Sequence, residues 1–136
     1  MFDVDGMKVS ITIGDTGAVK MRGIGYHFSA ADRAVFTVKT GNGSVIMQRV
    51  YAGLDVDGSF VVYFHSQDTI GRAAGNYSWD VRYLIHPYYD PDNENRIVDA
   101  DQVITPYDPQ LLVLMRTVGD VNVIDPYYPV TEETGT

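Results

Sequence analysis

The chain has no cysteine in its 136 residues. That excludes a disulfide staple, and with it the thiolate chemistry of redox enzymes, cysteine hydrolases and cysteine-ligated zinc sites. A fold built this way suits a reducing compartment, and the expected place of synthesis is cytoplasm. Basic residues are also scarce, ten Lys and Arg against 18 Asp and Glu, for a formal charge of −8. Such a surface repels phosphate backbones and anionic headgroups, so neither nucleic acid nor a membrane is an expected partner. No apolar run approaches the roughly 20 residues of a membrane span. Met1-Phe2-Asp3-Val4-Asp5 has neither the basic region nor the apolar core of a secretory signal. Leucine is the last scarcity: five, against 27 Val and Ile together, with Tyr and Thr at ten each. A chain short of Leu and rich in β-branched and flat side chains favours sheet over helix. With 45% hydrophobic and 21% charged residues, it has the balance of one globular domain over residues 1–136, with a core over about 7–125.

The local pattern agrees. Met7, Val9, Ile11 and Ile13 alternate with Lys8, Ser10 and Thr12, the period of a strand with one dry face. Gly14-Asp15-Thr16-Gly17 then predicts a hairpin-like reversal into residues 19–22. Ser29-Ala30-Ala31-Asp32 predicts one helical turn capped at Ser29. Residues 34–39 and 45–51 read as a hairpin around Thr40-Gly41-Asn42-Gly43-Ser44. Past a turn at Asp55-Val56-Asp57-Gly58, Phe60-Val61-Val62-Tyr63-Phe64 is apolar on both parities, which predicts burial on both faces. Tyr77, Trp79, Val81, Tyr83 and Ile85 fill the odd positions of a central strand. Residues 87–109 break the rhythm with four prolines and six acids against the single base Arg96, which predicts a long surface insertion loop. Residues 111–118 and 121–124 complete the sheet, and 130–136 read as a flexible polar tail. Short strands between turns, with at most short helical turns, predict an all-β fold, an immunoglobulin-like antiparallel β-sandwich.

In such sandwiches a Tyr at the start of a late strand bonds back to upstream backbone and fixes a corner, two residues before the usual second Cys. Here Asp68-Thr69 precedes Gly75-Asn76-Tyr77-Ser78-Trp79, so Tyr77 and Trp79 are the candidate corner pair. Four pieces in order carry a wider likeness: Val9-Ser10-Ile11-Thr12-Ile13-Gly14-Asp15-Thr16-Gly17, Ala31-Asp32-Arg33-Ala34-Val35-Phe36-Thr37-Val38, the corner segment through Asp80-Val81, and Arg116-Thr117-Val118-Gly119-Asp120-Val121-Asn122-Val123. Together they resemble the N-terminal immunoglobulin-like domain of phage baseplate upper proteins and related prophage tail proteins. The resemblance implies a virion structural part, with other tail and baseplate proteins or copies of itself as partners, and no catalytic residues. The 87–109 segment departs from it, because that connection is usually short in such domains.

Residues that carry chemistry are sparse. His27, His65 and His86 form no i,i+2 or i,i+4 pair, the local spacing metal sites show. Asp90-Pro91-Asp92-Asn93-Glu94-Asn95 and Asp55-Val56-Asp57-Gly58 offer oxygens but lack EF-hand spacing, so they read as solvated turns. No Gly-x-Ser-x-Gly elbow, phosphate loop or dinucleotide fingerprint occurs. The expected protein is therefore not an enzyme and holds no cofactor or metal. Recurrent Pro-Tyr units stand out instead, in Pro87-Tyr88-Tyr89-Asp90-Pro91, Pro106-Tyr107-Asp108-Pro109 and Asp125-Pro126-Tyr127-Tyr128-Pro129. Stiff chain bearing large rings with a polar handle suits a contact surface, so Tyr88, Tyr89, Tyr107, Tyr127 and Tyr128 are the candidate partner-binding residues. The same rings equally suit covering the ends of a sandwich. The leading expectation is a non-enzymatic assembly module of a phage tail or baseplate, found in the virion. The alternative is a carbohydrate- or cell-surface-binding module that stacks sugars on the Tyr-rich loops.

Overall fold

Val9 and Ile11 are buried to within 1% of their surface, but Ser10 between them is buried too and Met7 is exposed. The expected dry-and-wet alternation from Met7 to Ile13 therefore holds only in part, and β2 is covered on both faces at its middle. The computed structural model describes residues 1–116. In chain order the elements are β1 (Phe2–Asp5), β2 (Lys8–Thr12), β3 (Gly17–Met21), β4 (Arg33–Lys39), β5 (Val45–Tyr51), β6 (Phe60–Phe64), the one-turn α1 (Ser66–Thr69), β7 (Gly75–Asp90), β8 (Asn93–Ile104) and β9 (Gln110–Met115). The proposed strand at 121–124, the tail at 130–136, and Tyr127 and Tyr128 lie outside the described residues.

The larger sheet runs β1-β2-β9-β7-β4-β5, with β8 also paired to β7; β3 and β6 form a second, two-stranded sheet. The order β9-β7-β4-β5 opposite β3-β6 is that of strands G-F-C-C′ opposite B-E in an immunoglobulin sandwich. One pair departs from the antiparallel expectation: β2 and β9 are parallel, with Val9 opposite Leu112 and Thr12 opposite Met115. Side chains from both sheets meet between them. Ile11, Phe36, Val38, Trp79, Val81, Tyr83 and Leu114 from one side pack with Met21, Phe60, Val62 and Phe64 from the other, and each fully buried one contributes roughly 1.5–3 kcal/mol relative to exposure. Phe36 sits edge-on to Phe64 at 5.9 Å and tilted on Trp79 at 5.7 Å.

Several local expectations are corrected. Gly14-Asp15-Thr16-Gly17 does not close a hairpin, because β3 pairs with β6 and the turn carries the chain across to the other sheet. Gly14 takes φ 89 there, and its N–H donates to Thr69 Oγ1 at 2.8 Å, tying this turn to α1. Ser29 to Asp32 is a turn, not a helix, and the cap is reversed: the Asp32 carboxylate accepts from the Ser29 N–H at 2.8 Å. In β6 only Phe60, Val62 and Phe64 point inward; Tyr63 is 55% exposed, since β6 has the core on one side and solvent on the other.

The largest correction concerns 87–109. Most of that segment is strand: β7 runs on to Asp90 and β8 returns from Asn93 to Ile104, leaving only the tip turn and residues 105–109 as loop. Trp79 pairs on one side with Val38 and on the other with Gln110, and Tyr83 with Ala34 and Ile104. Thus β8 and β9 succeed each other along the β7 edge that faces away from β4. Pairing with β4 ends at Leu84, so from Ile85 outward β7 and β8 form a two-stranded arm.

Candidate functional site

The arm starts at a bend that sequence does not announce. His86 adopts φ 50, a left-handed conformation rare for a residue with a Cβ. Its N–H donates to Asp32 Oδ1 at 2.9 Å, while Asp32 Oδ2 accepts from the Ser29 N–H and, at 3.3 Å, from the Ser29 hydroxyl. Asp32 is buried. Burial pushes its carboxyl up, but the amide bonds from Ser29 and His86 outweigh that and hold it below the ordinary carboxylate value. The bend is therefore fastened to the connection entering β4. Across the arm, His86 Nδ1 lies 3.2 Å from Asp101 Oδ2, and the Tyr88 hydroxyl donates to Asp101 Oδ1 at 2.5 Å. The Tyr88 ring stands edge-on to His86 at 5.2 Å, and the bond to Asp101 raises its phenol above the ordinary value.

At the tip, Asp90 Oδ1 accepts the Asp92 N–H at 2.9 Å and Asn93 Oδ1 the Asn95 N–H at 3.0 Å. The acidic run is thus the turn chemistry of a hairpin end. Among the described residues, no group of three or more His, Asp or Glu is placed to hold a metal ion. The three histidines lie apart: His65 precedes α1, His86 sits at the arm's bend, and His27 is on an exposed loop.

The arm and the outer face of the sheet wall a groove of about 820 Å³. Val35, Thr37 and Lys39 of β4, Val45, Gln48 and Val50 of β5, and Asp80, Arg82 and Leu84 of β7 form its floor; Asn93, residues 95–100 and Val103 form its side. Val45, Val50, Val98 and Val103 are each more than half exposed, so the groove leaves aliphatic surface uncovered. Its lining contains amides, aliphatics, the Thr37 hydroxyl and five charged side chains, and no aromatic ring, histidine, serine or cysteine. Such a surface can bind through shape and apolar contact.

The tyrosines divide. Tyr88 and Tyr89 lie on the arm, 44% and 40% exposed. Tyr107 is partly buried against the core, edge-on to Trp79 at 5.7 Å, and burial pushes its phenol up to about 12. Trp79 is buried and donates from Nε1 to the Met7 carbonyl at 3.2 Å. Tyr77 donates its hydroxyl to the Ala73 carbonyl at 2.7 Å, the backward bond of an immunoglobulin corner. Asp32 and His86, which set the arm's angle, carry only a weak signal in sequence: Ser-x-x-Asp before an apolar run reads as a helix start.

Comparison of the chain with protein-family models, curated proteins and solved structures finds no match.

Proposed function

We propose that this chain is a non-enzymatic assembly module that docks onto neighbouring proteins through the β7–β8 arm and the groove beside it. The observation that carries the reading is the arm itself. From Ile85 to Gln102 the chain extends a ribbon past the end of β4, fastens its base with a buried carboxylate, and presents Tyr88, Tyr89 and Val98 to solvent, with exposed Val103 at its root. Folding does not require exposing apolar side chains on a protruding ribbon, whereas an interface that covers them does. The setting we propose is a phage or prophage tail or baseplate. Its support is the ordered set of motifs from Val9 to Val123, joined by the strand order and the Tyr77 bond that such immunoglobulin-like domains share.

The test replaces residues 86–101 by Asn-Gly, a turn that suits the directly paired Ile85 and Gln102. Sedimentation of the purified chain with candidate tail and baseplate proteins should show a complex that the shortened, still folded variant loses. Equal behaviour of the two chains would refute the role of the arm. Among the described residues, the sugar-binding reading keeps Tyr88 and Tyr89 of its candidate stacking rings, because Trp79 and Tyr107 serve the core. A glycan-array signal abolished by Tyr88→Ala with Tyr89→Ala would favour it.

A further inference from the structure

We propose that the open edge of β8 takes a third strand, an extended basic segment of another protein whose Lys or Arg side chains meet Asp99 and Asp101. This rests on the assembly reading above and gives the partner a chemistry.

β8 spans Asn93–Ile104, and among the described residues its one partner is β7. Edge strands are normally short, covered, or guarded by Lys and Pro. This one has neither residue over its twelve positions. A two-stranded ribbon is marginal in water, and it gains from a third strand that pairs the outward N–H and C=O groups. The same strand would cover Val103, 52% exposed.

Charge and parity select the occupant. Two copies of β8 side by side and antiparallel are related by a two-fold axis normal to the sheet. That operation keeps each side chain on its face, so paired residue numbers must add to an even sum. Registers centred on residues 99, 100 and 101 set Asp99 against its own copy, Asp99 against Asp101, and Asp101 against its own copy, and like charges directly opposite are destabilising. A register centred on Val98 avoids such a pair but still brings two acidic strands side by side. The arm from Ile85 to Gln102 carries Asp90, Asp92, Glu94, Asp99 and Asp101 against Arg96 alone. A second copy is disfavoured and a cationic segment favoured. Pairing with β7 is regular from Asp99 to Ile104, so Asp99, Asp101 and Val103 share one face. The matching strand bears two basic side chains and one aliphatic at alternate positions.

The probe is a short blocked peptide in which threonine alternates with lysine and valine, added to the full chain; the control has glutamate for lysine. Amide NMR should show saturable shifts and slowed hydrogen exchange at β8 amides with the lysine peptide. Asp99→Lys with Asp101→Lys should weaken that peptide by about tenfold and admit the glutamate one. No binding to the wild-type chain, equal affinity for both peptides, or shifts confined to the groove floor on β4 and β5 would overturn the proposal. Should the charge-swapped chain misfold, Asp99→Asn with Asp101→Asn and the wild-type exchange map decide it. If the peptide does not bind while arm-dependent co-sedimentation holds, this inference falls alone. If the peptide binds while the arm is dispensable for co-sedimentation, the assembly reading falls.

Discussion

Replacing Asp32 by alanine should cost more than any surface substitution in this protein. Three donors converge on its carboxylate: the Ser29 N–H at 2.8 Å, the His86 N–H at 2.9 Å and the Ser29 hydroxyl at 3.3 Å. Hydrogen bonds to a charged acceptor contribute about 1.5–3 kcal/mol each, and the longest of the three is weak. Because the two amides would be left together near a partly hydrated gap, the losses do not simply add, and the expected destabilisation is about 3–4 kcal/mol. Asp32→Asn keeps the shape and loses the charge, so it should cost about 1–2 kcal/mol. The pH dependence separates charge from shape. The folded carboxyl titrates below its ordinary value, so its stabilisation is complete above the unfolded Asp value near 3.9 and fades as pH falls through the depressed folded one. Urea unfolding followed by Trp79 fluorescence should therefore show the gap between wild type and Asp32→Asn wide at neutral pH and closing below about pH 4. Hydrogen exchange should also rise in the arm. A loss under about 1 kcal/mol for alanine, or a gap that does not change with pH, would refute the claim that this carboxylate fastens the bend.

Tyr77→Phe removes the hydroxyl that reaches Ala73 and should destabilise by about 0.5–1.5 kcal/mol in the same urea assay. An unchanged midpoint would deny the corner bond any weight. Tyr107→Ala should uncover Trp79, shift its emission to longer wavelength and cost about 2–3 kcal/mol, somewhat less than a fully buried ring because Tyr107 is only partly buried. In alkaline titration by absorbance, Tyr83 and Tyr107 should ionise near 12, burial being the main cause in both. Since the unfolded phenols ionise near 10, stability should decline as pH rises from about 10 towards 12. Titration of every folded phenol together near 10 would contradict the packing.

Residues 77–85 show what the sequence made legible. Trp79, Val81 and Tyr83 stand on one parity, and all three are buried, because one face of β7 meets the core throughout. The hairpin of β4 and β5 was equally readable from Thr40 to Ser44, whose turn bonds are present. The arm was not readable, for a physical reason. The inward stripe of β7 continues past Leu84 only through half-buried Ile85 and buried Pro87, and because that second position is a proline followed by acids the segment looks like loop. Proline is tolerated there because a strand with one free edge can lack a donor without breaking a ladder. Tyr107 misled in the opposite direction. A Pro-flanked Tyr suits a binding surface or a lid on Trp79 alike, and only the path of residues 105–109 between β8 and β9 selects the lid. The fold of β6 was half readable, since five apolar residues in a row hide which parity has a neighbour.

The parallel contact of β2 with β9 has a consequence for how the chain is made. Val9 emerges from the ribosome about a hundred residues before Leu112, its partner across the ladder, and contacts so distant in sequence form slowly because a long loop must close first. Until β9 is synthesised, β2 and the first half of β7 both wait with an unfilled slot between them. A nascent chain stalled short of Gln110 should therefore remain unfolded and prone to clump, however well its hairpins form alone.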